Sequence, residues 1–309
     1  MKTSDGLTVS DIDDKCESCV SFYSDFLAAS SVGLDVQDDR LDHFSLSLSS
    51  DESATCGGPI SPTEAHPALL GMAKGKSPGS DGLPMEFYVS FWDLFGKDLV
   101  VVLNVYLKAG LLPSSQREAL ITLIFKKGDR TDHKNWRPIN LLNVDYKLFA
   151  RVLTGRLLKV ISKVVAPDQT CGVPGHFIGE NVAFLREVAA LANQLNIPVA
   201  ILSIDQEKGF DREHWTFLLT MLGKMGFDVN FIRCVRLLYT DVRSSVLVNS
   251  YCSLPLRPSS GERQGCPLSP LLYVSSLEVL AADTCNPAIS GLRLPGMSSP
   301  SWVIFLILC

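Results

Sequence analysis

Two carboxylates six positions apart, Asp205 and Asp211, lie in the stretch PVAILSIDQEKGFDREHW that begins at Pro198. Carboxylate oxygens are the ligands that hard divalent cations take. An aspartate at the end of a strand is one way to hold such an oxygen on a rigid element. The same pair also fits an ordinary strand-to-helix loop with solvated acids. A second group with chemical potential lies upstream. Residues 116–163 carry eleven basic and four acidic side chains, while residues 1–66 carry three basic and thirteen acidic ones. A basic block within a chain of net charge −5 points to a polyanion site on part of the molecule, a solvated helix face being the alternative.

The elements that must position these groups follow from periodicity. The apolar run from Pro198 to Ile204 reads as a short buried strand that delivers Asp205 at its end, and Asp211 reads as the N-cap of a helix over Arg212–Met225. Apolar spacing predicts one long helix from Glu86 to Lys108 closed by Gly110, and another over Asp145–Val165. In the second, Phe149, Val152, Leu153, Leu157 and Ile161 face inward, and Lys147, Arg151, Arg156, Lys159 and Lys163 are left for other faces. Ala119–Arg130 is a buried strand running into a Lys-Lys-Gly-Asp turn, and residues 244–257 read as a hairpin turning at Ser250-Tyr251. Helices and strands mix, so the class is α/β (α+β) with a mixed sheet and flanking helices.

With 309 residues, 46% of them apolar, the chain can bury a sizeable core. Its polar, acidic N-terminus lacks the apolar segment of a secretory signal, and its apolar runs are too short to span a membrane. Nine cysteines without a framework fit a reducing, intracellular setting; Cys16 and Cys19 alone make a weak zinc motif. Residues 1–66 are expected to form an acidic, partly disordered leader, and 67–309 the folded domain.

Five segments in order resemble the reverse transcriptases of non-LTR, LINE-type retrotransposons. They are GKSPGSDGLP (75–84), KKGDRTDHKNWRPINLLNVDYK (126–147), DQTCGVPGH (168–176), SIDQEKGFDREHW (203–215) and RQGCPLSPLL (263–272). The resemblance implies a right-hand polymerase, here its fingers and part of its palm with the thumb absent. It implies RNA-templated DNA synthesis from deoxynucleoside triphosphates on a DNA primer with Mg²⁺. By the same resemblance Asp205 is the first metal-binding carboxylate, and Arg137, with Lys126, grips the triphosphate through a fork suited to phosphate oxygens. Phe210 packs under the sugar and excludes a 2′ hydroxyl, while Gln264 and Gly265 meet the incoming nucleotide. Lys127, Arg130, Arg151 and Arg263 are expected to meet nucleic-acid phosphates. The chain departs from the family pattern at Gly209, commonly an alanine, at His176, often an arginine, and at Glu262, commonly apolar.

The family's two remaining catalytic carboxylates follow a Gly-Leu-x-Leu-Pro-Gly segment. That segment is GLRLPG (291–296), but WVIFLILC closes the sequence where the Asp-Asp pair is expected. The chain is therefore expected to be truncated and to lack polymerase activity by itself. The alternatives are a fragment that binds RNA or an RNA–DNA duplex without chemistry, and a non-functional remnant.

Overall fold

The computed structural model describes residues 1–3, 6–29, 41, 44–167, 169–170, 172–196, 202–204, 206–284 and 304–306. In chain order the elements are α1 (Ile12–Phe26), α2 (Ser50–Cys56), α3 (Pro62–Leu70), α4 (Met85–Ser90), α5 (Trp92–Ala109), β1 (Glu118–Phe125) and β2 (Trp136–Leu141). After them come α6 (Val144–Leu158), α7 (Ile178–Gln194), β3 (Leu202–Ile204), α8 (Trp215–Lys224), α9 (Val229–Tyr239), β4 (Arg243–Val248), β5 (Tyr251–Cys252), α10 (Ser269–Thr284) and β6 (Ile304–Leu306). The class is the mixed α/β one read from the sequence.

Four strands form a mixed sheet in the order β2-β1-β4-β5. β1 runs antiparallel to β2 and parallel to β4, which hairpins into β5. The hairpin turns at Asn249 and Ser250, both with positive φ (49° and 71°), one residue earlier than expected. Two consecutive positive φ values match the right-handed twist of the flanking strands. β3 pairs in parallel with β6.

The main core is helical, with α6 at its centre. Phe149, Val152, Leu153 and Leu157 are buried there, as the apolar spacing required, and Tyr146 and Leu148 are buried beside them. The predicted helix ends at Leu158, and a short turn, Ile161–Val164, follows it. The predicted Glu86–Lys108 helix is likewise two, α4 and α5. Phe91 leaves helical geometry between them (φ −109°, ψ 13°), and Gly110 closes α5 at φ 77°.

Much of the expected leader is drawn into the fold. α2 and α3 each start on a serine whose hydroxyl accepts from the amide of a glutamate three residues on, while that glutamate accepts from the serine amide. Leu48, Cys56, Ile60, Ala65 and Leu69 join the main core. α1 packs Cys19, Tyr23 and Leu27 against Ile121, Val246 and Leu256 of the sheet region in a second, smaller core. These apolar side chains outweigh the acidic composition that suggested disorder.

Arg156 also departs from expectation. It is buried, with Nε 3.0 Å and Nη2 2.7 Å from the Glu64 carboxylate, and it donates to the carbonyls of Cys56, Gly57, Gly58 and Pro59. It fastens α6 to the segment joining α2 and α3. No helix among the described residues is long and apolar enough to cross a membrane.

Candidate nucleotide and nucleic-acid site

A cavity of about 660 Å³ opens between the start of β2, the segment 206–211 and the first turn of α10. That volume suits a nucleotide-sized ligand. Lys126, Lys127, Lys134 and Arg137 line one side, and Lys208, Phe210, Asp211, Gln264, Gly265 and Tyr273 line the other. Six of the residues singled out in the sequence, Lys126, Lys127, Arg137, Phe210, Gln264 and Gly265, thus meet at one place.

The backbone explains the convergence. The loop before α10 is zipped to the segment after Phe210: Glu262 N donates to Phe210 O at 2.6 Å and Gly261 N to Glu213 O at 2.7 Å. Trp215 Nε1 donates to Gly261 O at 2.8 Å. Asn140 N of β2 donates to Gln264 O at 2.7 Å, tying the basic hairpin to the same loop. Gly265 has φ 114°, and a Cβ there would overlap Asn140 O, so the close approach requires glycine.

Gly209 also has a reason to depart from alanine. A Cβ there would overlap the Tyr273 hydroxyl. Tyr273 stacks on Phe210 (4.2 Å, 29°) and donates to Gln206 Oε1 at 2.9 Å. The missing methyl lets α10 press against the Phe210 turn.

Asp211 is not a helix N-cap. It lies within a 3₁₀ turn, Gly209–Arg212, and α8 is capped at His214 without a side-chain bond. Its Oδ1 accepts from Gln264 Nε2 at 2.5 Å. Burial pushes its carboxyl up to about 6, against the opposing pull of Gln264, Lys208, Lys126 and Arg137. Burial likewise raises Glu213 to about 7, opposed by the Ser276 hydroxyl that donates to it at 2.9 Å. Glu262 is buried, and burial followed by the nearby Glu213 holds its carboxyl well above the usual range.

Three expected nucleic-acid contacts do not line the cavity. Arg263 is buried with its guanidinium 4.8 Å from the Tyr146 ring centroid, so it is a packing residue and no surface cation. Arg151 stands on α6, with Nη2 directed toward Gly71 at the end of α3. Arg130 rests over Phe125, 4.7 Å from the ring centroid, on the outer turn of the hairpin. Asp205 and GLRLPG (291–296) lie outside the described residues, as does the start of the predicted 198–204 strand.

The described residues do not by themselves fit a divalent cation. No three His, Cys, Asp or Glu side chains come together among them, and Asp211 is both engaged by Gln264 and raised toward its neutral form. The sequence reading missed Lys208, whose backbone takes the left-handed conformation (φ 54°), and it missed Tyr273. It also missed Phe22, Tyr23 and Phe26 of α1, although their helical spacing was visible.

A family model described as reverse transcriptase (RNA-dependent DNA polymerase) matches residues 124–288, more than half of the chain. A Xenopus laevis protein, "Transposon TX1 uncharacterized 149 kDa protein", is 41% identical over 220 residues, which are 71% of this chain and 17% of that protein. The Popillia japonica "Retrovirus-related Pol polyprotein from type-1 retrotransposable element R2" is 26% identical over 235 residues, 75% of this chain and 32% of the relative. The Drosophila melanogaster Pol polyprotein from element R2DM is 25% identical over 197 residues, 64% of this chain and 18% of the relative. The chain therefore spans about a third or less of the length of these relatives. The family match, the order of the motifs and the convergence of three of them on one cavity agree: the chain belongs to the reverse transcriptase (RNA-dependent DNA polymerase) family, as a reverse transcriptase domain of the non-LTR, LINE-type retrotransposon kind.

Proposed function

We propose that the cavity binds a deoxynucleoside triphosphate against an RNA template and DNA primer, as in RNA-directed DNA synthesis. The observation that carries this reading is the meeting of Arg137, Lys126 and Lys127 with Phe210, Gln264 and Gly265 around one nucleotide-sized volume. Arg137 offers a planar fork of donors to the triphosphate, and the two lysines add point charges beside it. The Phe210 ring, braced by Tyr273, packs under the sugar and leaves no room for a 2′ hydroxyl. Gly265 lets the backbone approach the ligand, and the side chain of Gln264 is already oriented by Asp211.

The family is divalent-metal dependent, and a bound cation would supply neutralisation of phosphate charge. Asp205 is the residue we assign to that ion. Of the three carboxylates the resemblance calls for, these 309 residues supply this one at the family spacing. We infer that the 309-residue polypeptide binds nucleotide and nucleic acid without extending a primer.

The test is titration of the purified chain with dATP and with a labelled RNA–DNA primer-template, beside a primer-extension assay. Binding weakened by Arg137→Ala, with no extension, is the expected result. Absence of any binding would overturn the reading of the site. Extension abolished by Asp205→Ala would overturn the inference of inactivity.

A further inference from the structure

One wall of the cavity comes from outside the five motifs. α1 contributes Phe22, Tyr23 and Phe26 to it. The Phe22 and Phe26 rings lie 5.7 Å apart at 12°, and Phe22 also stacks on His133 at 5.1 Å and 22°. The ammonium of Lys208 lies over both rings, 4.3 Å from the Phe26 centroid and 5.8 Å from that of Phe22. Tyr23 is fully buried, and its hydroxyl has no hydrogen-bond partner among the described residues.

The helix carrying these rings is held along its length. Lys2, ten residues upstream of its first residue, pairs with Asp129 at 2.8 Å. Ser18 Oγ donates to Lys2 O at 3.1 Å and lies 2.8 Å from His133 Nε2. Leu27 O accepts from the amides of Ser259 and Ser260, both at 3.0 Å. α1 therefore spans from the basic hairpin to the loop that carries Gln264, and its aromatic rings stand in a fixed place.

Flat rings beside lysines and an arginine match a ligand that is aromatic at one end and anionic at the other. A nucleotide has that composition. We propose that Phe22 and Phe26, with Lys208, form a base-stacking wall of this cavity. The base lies on the Phe26 ring in place of the Lys208 ammonium, and the ammonium turns to the phosphate of the same nucleotide. A cation over an aromatic face at a partly exposed site is weakly held, so this exchange is cheap. The inference rests on the nucleotide-binding reading above and adds Phe22 and Phe26, which lie outside the polymerase motifs. The base could belong to a free deoxynucleotide or to single-stranded RNA, and the test separates them.

The full chain and its Phe26→Leu, Phe26→Tyr and Lys208→Met variants would be titrated with dATP by calorimetry and with fluorescein-labelled oligo(rA) by anisotropy, at several salt concentrations. Phe26→Leu keeps apolar volume and removes the π face; thermal melts check that each variant folds. We expect Phe26→Leu to weaken binding at least about fivefold with the salt dependence unchanged, because stacking releases no counterions. Phe26→Tyr retains affinity, and Lys208→Met weakens binding and lessens its salt dependence. Loss for dATP alone assigns the wall to a free nucleotide, and loss for oligo(rA) alone assigns it to a strand; both support the proposal. Wild-type binding that Phe26→Leu leaves intact overturns it while the functional reading stands. A wild-type chain that binds neither ligand overturns both.

Discussion

Gln264 and Asp211, 53 residues apart in sequence, are joined by a 2.5 Å hydrogen bond from the Gln264 amide to Asp211 Oδ1. One side chain comes from the loop before α10 and the other from the turn after Phe210, so the bond sets how the two segments meet. It also gives a buried carboxyl a side-chain donor. Gln264→Leu keeps the bulk and removes the donor. It should cost roughly 1–3 kcal/mol in urea unfolding, the usual penalty for stranding a buried polar group. Nucleotide affinity should fall in the same variant, and an unchanged urea midpoint would show that the bond does not organise the site.

Asp211 and Glu213 have carboxyls raised by burial, to about 6 and about 7. Because these folded-state values exceed the unfolded ones, the native state binds more protons in between. Their contribution to stability is fully present below about pH 4 and is lost as pH rises toward 7. Glu213→Gln should remove its share, roughly 3 kcal/mol across that range, and flatten the profile. Urea unfolding from pH 4 to 8 measures this; parallel profiles for the two proteins would count against it.

Arg156 predicts the opposite kind of sensitivity. Burial pushes Glu64 up, but its bonds from Arg156 and from the Ser61 amide together hold its carboxyl below the usual range. A depressed carboxyl stabilises above its unfolded value, and that contribution fades as pH falls through the folded one. Arg156→Met strands the carboxylate and four backbone carbonyls, and should cost about 3 kcal/mol or more. A thermal melt that shifts by less than a few degrees would contradict that role.

The placement of the basic residues predicts a selective salt response. Arg137→Ala and Lys126→Ala should each lower the slope of log affinity against log salt by about 1 for a primer-template. Arg151→Ala should leave that slope unchanged, since its Nη2 lies close to Gly71 and it does not line the cavity. Equal slopes for all three variants would mean that phosphate contacts spread well beyond the cavity.

Order and spacing of residues carried the family, the mixed α/β class and the inward face of α6, because these depend on local periodicity and on motifs contiguous in the chain. Arg137, Phe210 and Gln264, marked by their neighbours along the chain, line one cavity. What a basic or acidic side chain faces is decided by which elements pack around it, and here local pattern failed. Arg156 and Arg263 read as surface cations, yet one is enclosed by carbonyls and the other lies on Tyr146. Glu262 stands where the family is commonly apolar, and it is buried with its carboxyl raised above the usual range. Tertiary structure also brought α1 from the acidic N-terminal region to the cavity, a contact across nearly two hundred residues between Phe26 and Lys208. Composition had marked that region as a leader. Apolar side chains three and four residues apart, given a sheet face to cover, outweighed the charge.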